Sequence, residues 1–232
     1  MFSLTISVIL AASVALVSST DYCDPQVCTV PPNPTFPNIG CGATNDLGSG
    51  CPADAMYVKF TDEHKKIILD THNNLRNNIA GGGQNGFNSA SRMSTMRWND
   101  EFEFLASVNV RRCIYEHDQC RNIDGIQFAG QNLYTFGTTG SLPDTNQIVS
   151  DAVNFWYAEV ANATQTNIDK CCDSQYTIGH FTQVVSDLAD QVGCGLVTFT
   201  KGGAKTLIMA CDYSRTNLVT QPIYQSGAAT SE

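Results

Sequence analysis

The chain has 232 residues, 42% of them hydrophobic, and a formal net charge of −9. Such an acidic chain repels a phosphate backbone, which excludes a nucleic-acid partner. Ten cysteines point to disulfides in an oxidising compartment rather than to cytosolic thiols.

The first element is an apolar leader, MFSLTISVILAASVALVSST. Residues 4–17 are apolar or hydroxyl-bearing and too short to span a bilayer comfortably, so a signal peptide over 1–20 is favoured over a membrane anchor. Ser18, Ser19 and Thr20 are small residues at which a peptidase can cut. No later stretch is apolar enough to cross a membrane. The remainder suffices for one sizeable core and an appended arm.

Residues 21–58 hold Cys23, Cys28, Cys41 and Cys51 and four prolines within 31–37, with no period of 2 or 3.6. They read as a loop-rich arm fastened by disulfides. Order begins at KFTDEHKKIILDTHNNLRNNIAGGG. Thr61 is the expected N-cap, and Asp62 and Glu63 suit the dipole of the first turn. The apolar stripe Ile68, His72, Leu75 and Ile79 predicts a helix ending near Ala80, before three glycines.

A second helix is predicted over Asn99 to Arg112. IQFAGQNLYTF, residues 126–136, reads as a strand broken at Gly130. A third helix starts at a Thr145 or Asn146 cap and runs to about Ala161, with apolar residues on two faces. Tyr134, Phe136, Phe155 and Trp156 are expected in the core. Asn162-Ala163-Thr164 is the one N-glycosylation sequon. The run from Gln191 to Tyr213 is a β-hairpin. With its turn at Gly202-Gly203, Cys194 faces Cys211, a spacing that suits a disulfide.

The chemistry-bearing candidates are few. Among four histidines, His64 and His117 read as surface or loop residues. His180, in IGHFTQVV, is open to three readings: a buried structural histidine, a metal ligand or a catalytic base. Cys-x-x-Cys is absent, and the spacing of Cys113 and Cys120 around His117 is not that of a zinc finger.

Taken together, HNNLR (72–76), MRWNDE (96–101), GQNLY (130–134), FWYAEV (155–160), GHFTQVV (179–185), VGCG (192–195) and ACDY (210–213) resemble the superfamily of cysteine-rich secretory proteins, antigen-five venom allergens and plant pathogenesis-related proteins. The four early cysteines and HDQCR (117–121) resemble its insect antigen-five branch. The resemblance implies an α+β fold, a three-layer α-β-α sandwich around a mostly antiparallel sheet, with the domain over 59–218 and a tail over 219–232. It implies bridges Cys23–Cys41, Cys28–Cys120, Cys51–Cys113 and Cys194–Cys211. It also implies a cleft in which His72, Gln131, Glu159 and His180 converge.

Three positions depart from the family pattern. Gln131 stands where many members have Glu, Ser186 where a Trp commonly follows, and Cys171-Cys172 is an adjacent pair outside the four bridges, left open between a ring, an intermolecular pairing and loop thiols. Gln131 cannot ionise, so it is neither a general base nor a charged ligand. The resemblance implies a secreted, non-enzymatic binder of a small hydrophobic molecule such as a fatty acid, eicosanoid or sterol, its protein target unspecified. No cofactor is required, although the cleft could hold zinc weakly. The alternative is a secreted hydrolase or protease, against which stands the missing nucleophile.

Overall fold

The computed structural model describes residues 20–29, 35–172 and 174–228. The apolar leader, apart from Thr20, lies outside them. The elements in chain order are β1 (Met56–Val58), α1 (Asp62–Ala80), β2 (Arg97–Trp98), α2 (Asp100–Val110), β3 (Gly130–Thr138), α3 (Thr145–Ala158), α4 (Gln165–Asp169), α5 (Gly179–Val184), β4 (Gln191–Lys201) and β5 (Ala204–Tyr213). The sheet runs β1-β4-β5-β3 with antiparallel pairing, and β2 lies parallel to β4.

The hairpin has the register expected from its sequence, with Cys194 opposite Cys211 and Lys201 opposite Ala204. Alternation along β4 and β5 then sorts side chains into two layers. Cys194, Leu196, Leu207, Met209, Cys211 and Tyr213 face the core shared with α1, α3 and α5. Val197, Phe199, Ile208 and Ala210 face α2 through Ala106 and Val110. Helices therefore cover both faces, and the molecule is a three-layer sandwich. The VGCG motif marks where α2 lies directly on β4. A Cβ on Gly193 would sit 2.1 Å from the backbone nitrogen of Glu103, and one on Gly195 2.8 Å from Cα of Ser107, so glycine alone permits this approach.

Several local expectations need correction. The arm is not all loop: Met56–Val58 pairs with β4 as a strand of the sheet. Residues 126–129 are not part of β3, and Ile126 instead turns back to bridge Ile123. The cap of α3 is Asp144, whose carboxylate accepts from the Gln147 N–H, and regular helix ends at Ala158 before a 3-10 turn over Glu159–Asn162. An Asx cap one residue earlier outcompetes Thr145 because it can reach the third amide of the helix. Trp156 is in the core at 0% exposure, but Phe155 is 56% exposed and Phe136 38%. The bridges are Cys23–Cys41, Cys28–Cys120, Cys51–Cys113, Cys194–Cys211 and Cys171–Cys172.

Candidate functional site

α1 ends at Ala80, just before its glycines, and its buried stripe carries two polar residues, His72 and Arg76. The His72 ring is wholly buried, with Nδ1 2.8 Å from the Ile68 carbonyl and Nε2 2.9 Å from the Tyr213 hydroxyl. A carbonyl only accepts, so Nδ1 carries the proton and Nε2 accepts from Tyr213. Both ring nitrogens are thus spent inside the core. The expectation that His72 joins a cleft with Gln131, Glu159 and His180 is corrected: the apolar stripe of α1 turns it toward β5. Burial pushes its pKa down to about 4.

A depressed histidine is neutral when folded and takes up a proton when unfolded. The unfolded chain therefore binds more protons between about 6.5 and about 4. Stability is full above that window and falls as pH drops through it, by on the order of 3 kcal/mol. Urea midpoints measured from pH 7 to 4.5 should drop steeply for the wild type and less steeply for His72→Gln, and parallel slopes would refute this role.

The partner of Gln131 is His117, which lies exposed in a loop as expected and was absent from the predicted cleft set. Gln131 Oε1 lies 2.7 Å from His117 Nδ1, and its Nε2 donates to Asp118 Oδ2 and Asp212 Oδ1, both at 2.8 Å. The two carboxylates fix which way the amide points, so Oε1 must accept and His117 must carry its proton on Nδ1. Its Nε2 then keeps the lone pair, and the residue as a whole is exposed. Behind the amide, Arg121 pairs with Asp118 at 2.9 Å and lies 3.8 Å from Asp212. Asp212 is fully buried, and that burial, with the neighbouring Asp118 charge, raises its pKa well above the usual carboxylate range.

Glu159 and His180 form the second pair. Glu159 Oε1 sits 2.7 Å from His180 Nδ1, and Oε2 accepts from the backbone N–H groups of His180 at 2.9 Å and Phe181 at 3.1 Å. Ile178 gives α5 no side-chain cap, so Glu159 supplies one from the end of α3. The same carboxylate orients the His180 ring, which stacks on Trp156 at 6.5 Å between centroids. The Asn132 amide donates to the His180 carbonyl at 3.1 Å.

Gln131 and Asn132 are neighbours on β3, so their side chains leave opposite faces of the strand. One reaches Asp212 and His117, the other Tyr213 and the His180 backbone. The result is two histidine pairs that share no hydrogen-bond partner. Among the described residues no three of His, Cys, Asp and Glu are grouped to hold a metal ion. Glu159 is occupied by three donors and Gln131 by three partners, so these residues do not form a three-donor zinc cage. In each pair the hydrogen bond uses Nδ1 of the imidazole. Neither has a hydroxyl or thiol bonded to its ring, and no cysteine is free.

The model of the cysteine-rich secretory protein family, CAP, matches residues 69–213, more than half of the chain. The chain belongs to this family. The match runs from α1 to the end of β5 and so contains both histidine pairs and His72. A relative, the antigen 5 like allergen Cul n 1 of Culicoides nubeculosus, is 40% identical over 198 residues, covering 82% of this chain and 89% of its own. Venom allergen-1 of Aedes aegypti is 37% identical over 217 residues, covering 91% and 82%. Among solved structures, BmVAL-1 superposes with a TM-score of 0.65 at 24% identity, covering 76% of this chain and 87% of its own. At that identity the likeness speaks for the fold alone, an α+β sandwich of the CAP type.

Proposed function

We propose that this CAP protein is a secreted, non-enzymatic binder of a small hydrophobic ligand. The observation that carries the reading is a group of accessible aromatic side chains at the β3 edge, beside the His180–Glu159 pair. Phe155 is 56% exposed and Tyr115 48%, Phe155 packs on Tyr134 at 5.3 Å, and the Tyr115 hydroxyl bonds the Leu133 carbonyl. Exposed aromatics grouped in this way are a cost in water that a bound apolar molecule removes. Ile68 and Trp156 are fully buried, so the ligand meets this edge rather than the space between α1 and α3. Secretion is supported by the apolar leader and the five bridges. No metal is required; two imidazoles allow at most weak zinc binding.

Calorimetric titration with a fatty acid, a leukotriene and a sterol should reveal saturable binding of at least one, with a negative heat-capacity change. Phe155→Ser should weaken that binding severalfold. A flat response to all three sinks the hydrophobic-ligand reading. Peptide and ester substrates should turn over no faster than in buffer, because neither histidine has a nucleophile to activate; turnover lost in His180→Ala would restore the hydrolase alternative.

A further inference from the structure

Glu101 lies in the first turn of α2 with an unusual set of partners. Its Oε1 accepts from the Thr20 backbone nitrogen at 3.1 Å and from the Tyr22 hydroxyl at 3.2 Å, and its Oε2 accepts from Thr20 Oγ1 at 3.3 Å. Thr20 Oγ1 in turn accepts from the Asp124 N–H at 3.0 Å. Thr20 is only 5% exposed. Every polar atom this residue offers on that side is matched, so the fold builds a seat for residue 20 itself.

Among the described residues the seat lacks one thing. Three neutral donors converge on a half-buried carboxylate, and no Lys, Arg or His side chain reaches it. A carboxylate so placed is better served by a cation, since charge-assisted hydrogen bonds are roughly twice as strong as neutral ones. The atom already pointing at it is the backbone nitrogen of Thr20. As a peptide nitrogen it has one hydrogen to give, whereas as a chain terminus it is an ammonium with three.

We infer that the leader is removed between Ser19 and Thr20, one residue short of the 1–20 bound read from the sequence, and that the new α-ammonium of Thr20 forms an ion pair with Glu101. The cut is a hydrolysis by a signal endopeptidase. Water adds across the peptide bond, its oxygen completing the Ser19 carboxylate and its proton passing to the Thr20 nitrogen. Ser19 is the small residue such an enzyme needs before the cut. Cutting one residue later would discard Thr20 and leave Glu101 only the Tyr22 hydroxyl. Cutting earlier would leave a peptide nitrogen where the carboxylate has room for a charge. Maturation then adds an ionic lock between the arm and α2, one turn of chain before the Cys23–Cys41 bridge.

The inference rests on the proposed secretion, and the experiment separates the two. Protein secreted from insect cells would be labelled at its α-amine, digested and mapped. A first peptide beginning TDYCDPQ is expected. A chain retaining Met1 would overturn secretion, whereas a first residue other than Thr20 would overturn the cleavage site alone. Mature protein should then be compared with a form carrying Gly-Ser before Thr20. The extension should lower the melting temperature by a few degrees, and Glu101→Gln should abolish the difference between the two forms. Equal melting temperatures in the Glu101 background would overturn the ion pair.

Discussion

Arg76→Met should destabilise the protein by on the order of 4 kcal/mol, more than most single substitutions in a domain this size. Arg76 is 1% exposed. Its NH1 donates to the carbonyls of Val184 at 2.9 Å and Ser186 at 2.8 Å, and its NH2 to those of Ser94 at 2.7 Å and Ala189 at 3.0 Å. One planar fork thus ties α1 to the loop before β2 and to the segment between α5 and β4. Methionine fills similar volume but leaves four carbonyls unpaired, at about 1–3 kcal/mol for each that water cannot reach. Set against this is the desolvation of the guanidinium, which pushes its pKa down to about 10 and leaves it charged at neutral pH. Guanidinium-chloride midpoints measure the loss, and hydrogen exchange should quicken across residues 184–190. A cost below about 1 kcal/mol would mean that the carbonyls find other donors. Arg76→Lys should recover part of the loss, because an ammonium offers three donors and no fork.

Gln131→Glu, which puts a carboxylate in place of the amide, should be harmful. The Gln131 amide gives both N–H groups to Asp118 and Asp212. A carboxylate in its place gives none and faces two acids that share the single guanidinium of Arg121. The expected cost is about 3 kcal/mol at pH 7. Burial and like charge raise the pKa of the new carboxyl in the folded state above its unfolded value. Its protonated form is therefore favoured by folding, so the variant approaches the wild type at low pH and falls behind as pH rises toward 7. Denaturation midpoints of both proteins at pH 4 and pH 7 test this, and a variant as stable as the wild type at pH 7 would show that Asp212 is protonated and donates to the new carboxylate. Asn109 also donates to Asp118, at 2.8 Å, so the network has little slack to absorb the change.

Wherever a pattern is local, the sequence by itself determined the structure. The 3.6-residue stripe and Thr61 cap specify α1, Asn99 specifies the start of α2, and Gly202-Gly203 sets the hairpin register that brings Cys194 to Cys211. These features depend on residues within one or two turns of each other. The departures are where two local answers compete, as with Asp144 against Thr145, or where burial depends on a distant element. Phe155 and Trp156 are adjacent on α3 and point to different sides of it, and the tertiary packing leaves one largely in water and one in the core.

The histidines divide in the same way. The stripe read from the sequence marks His72 for burial but not Arg76, one turn further on, and their partners include Tyr213 and Val184, more than a hundred residues away. His117 carries no local signal at all. It pairs with Gln131 because two buried carboxylates, Asp118 and Asp212, turn the amide toward it. A hydrogen bond across such a separation has no period in the chain, since it exists only once the sheet is closed and each buried polar atom must find whichever partner packing has brought near.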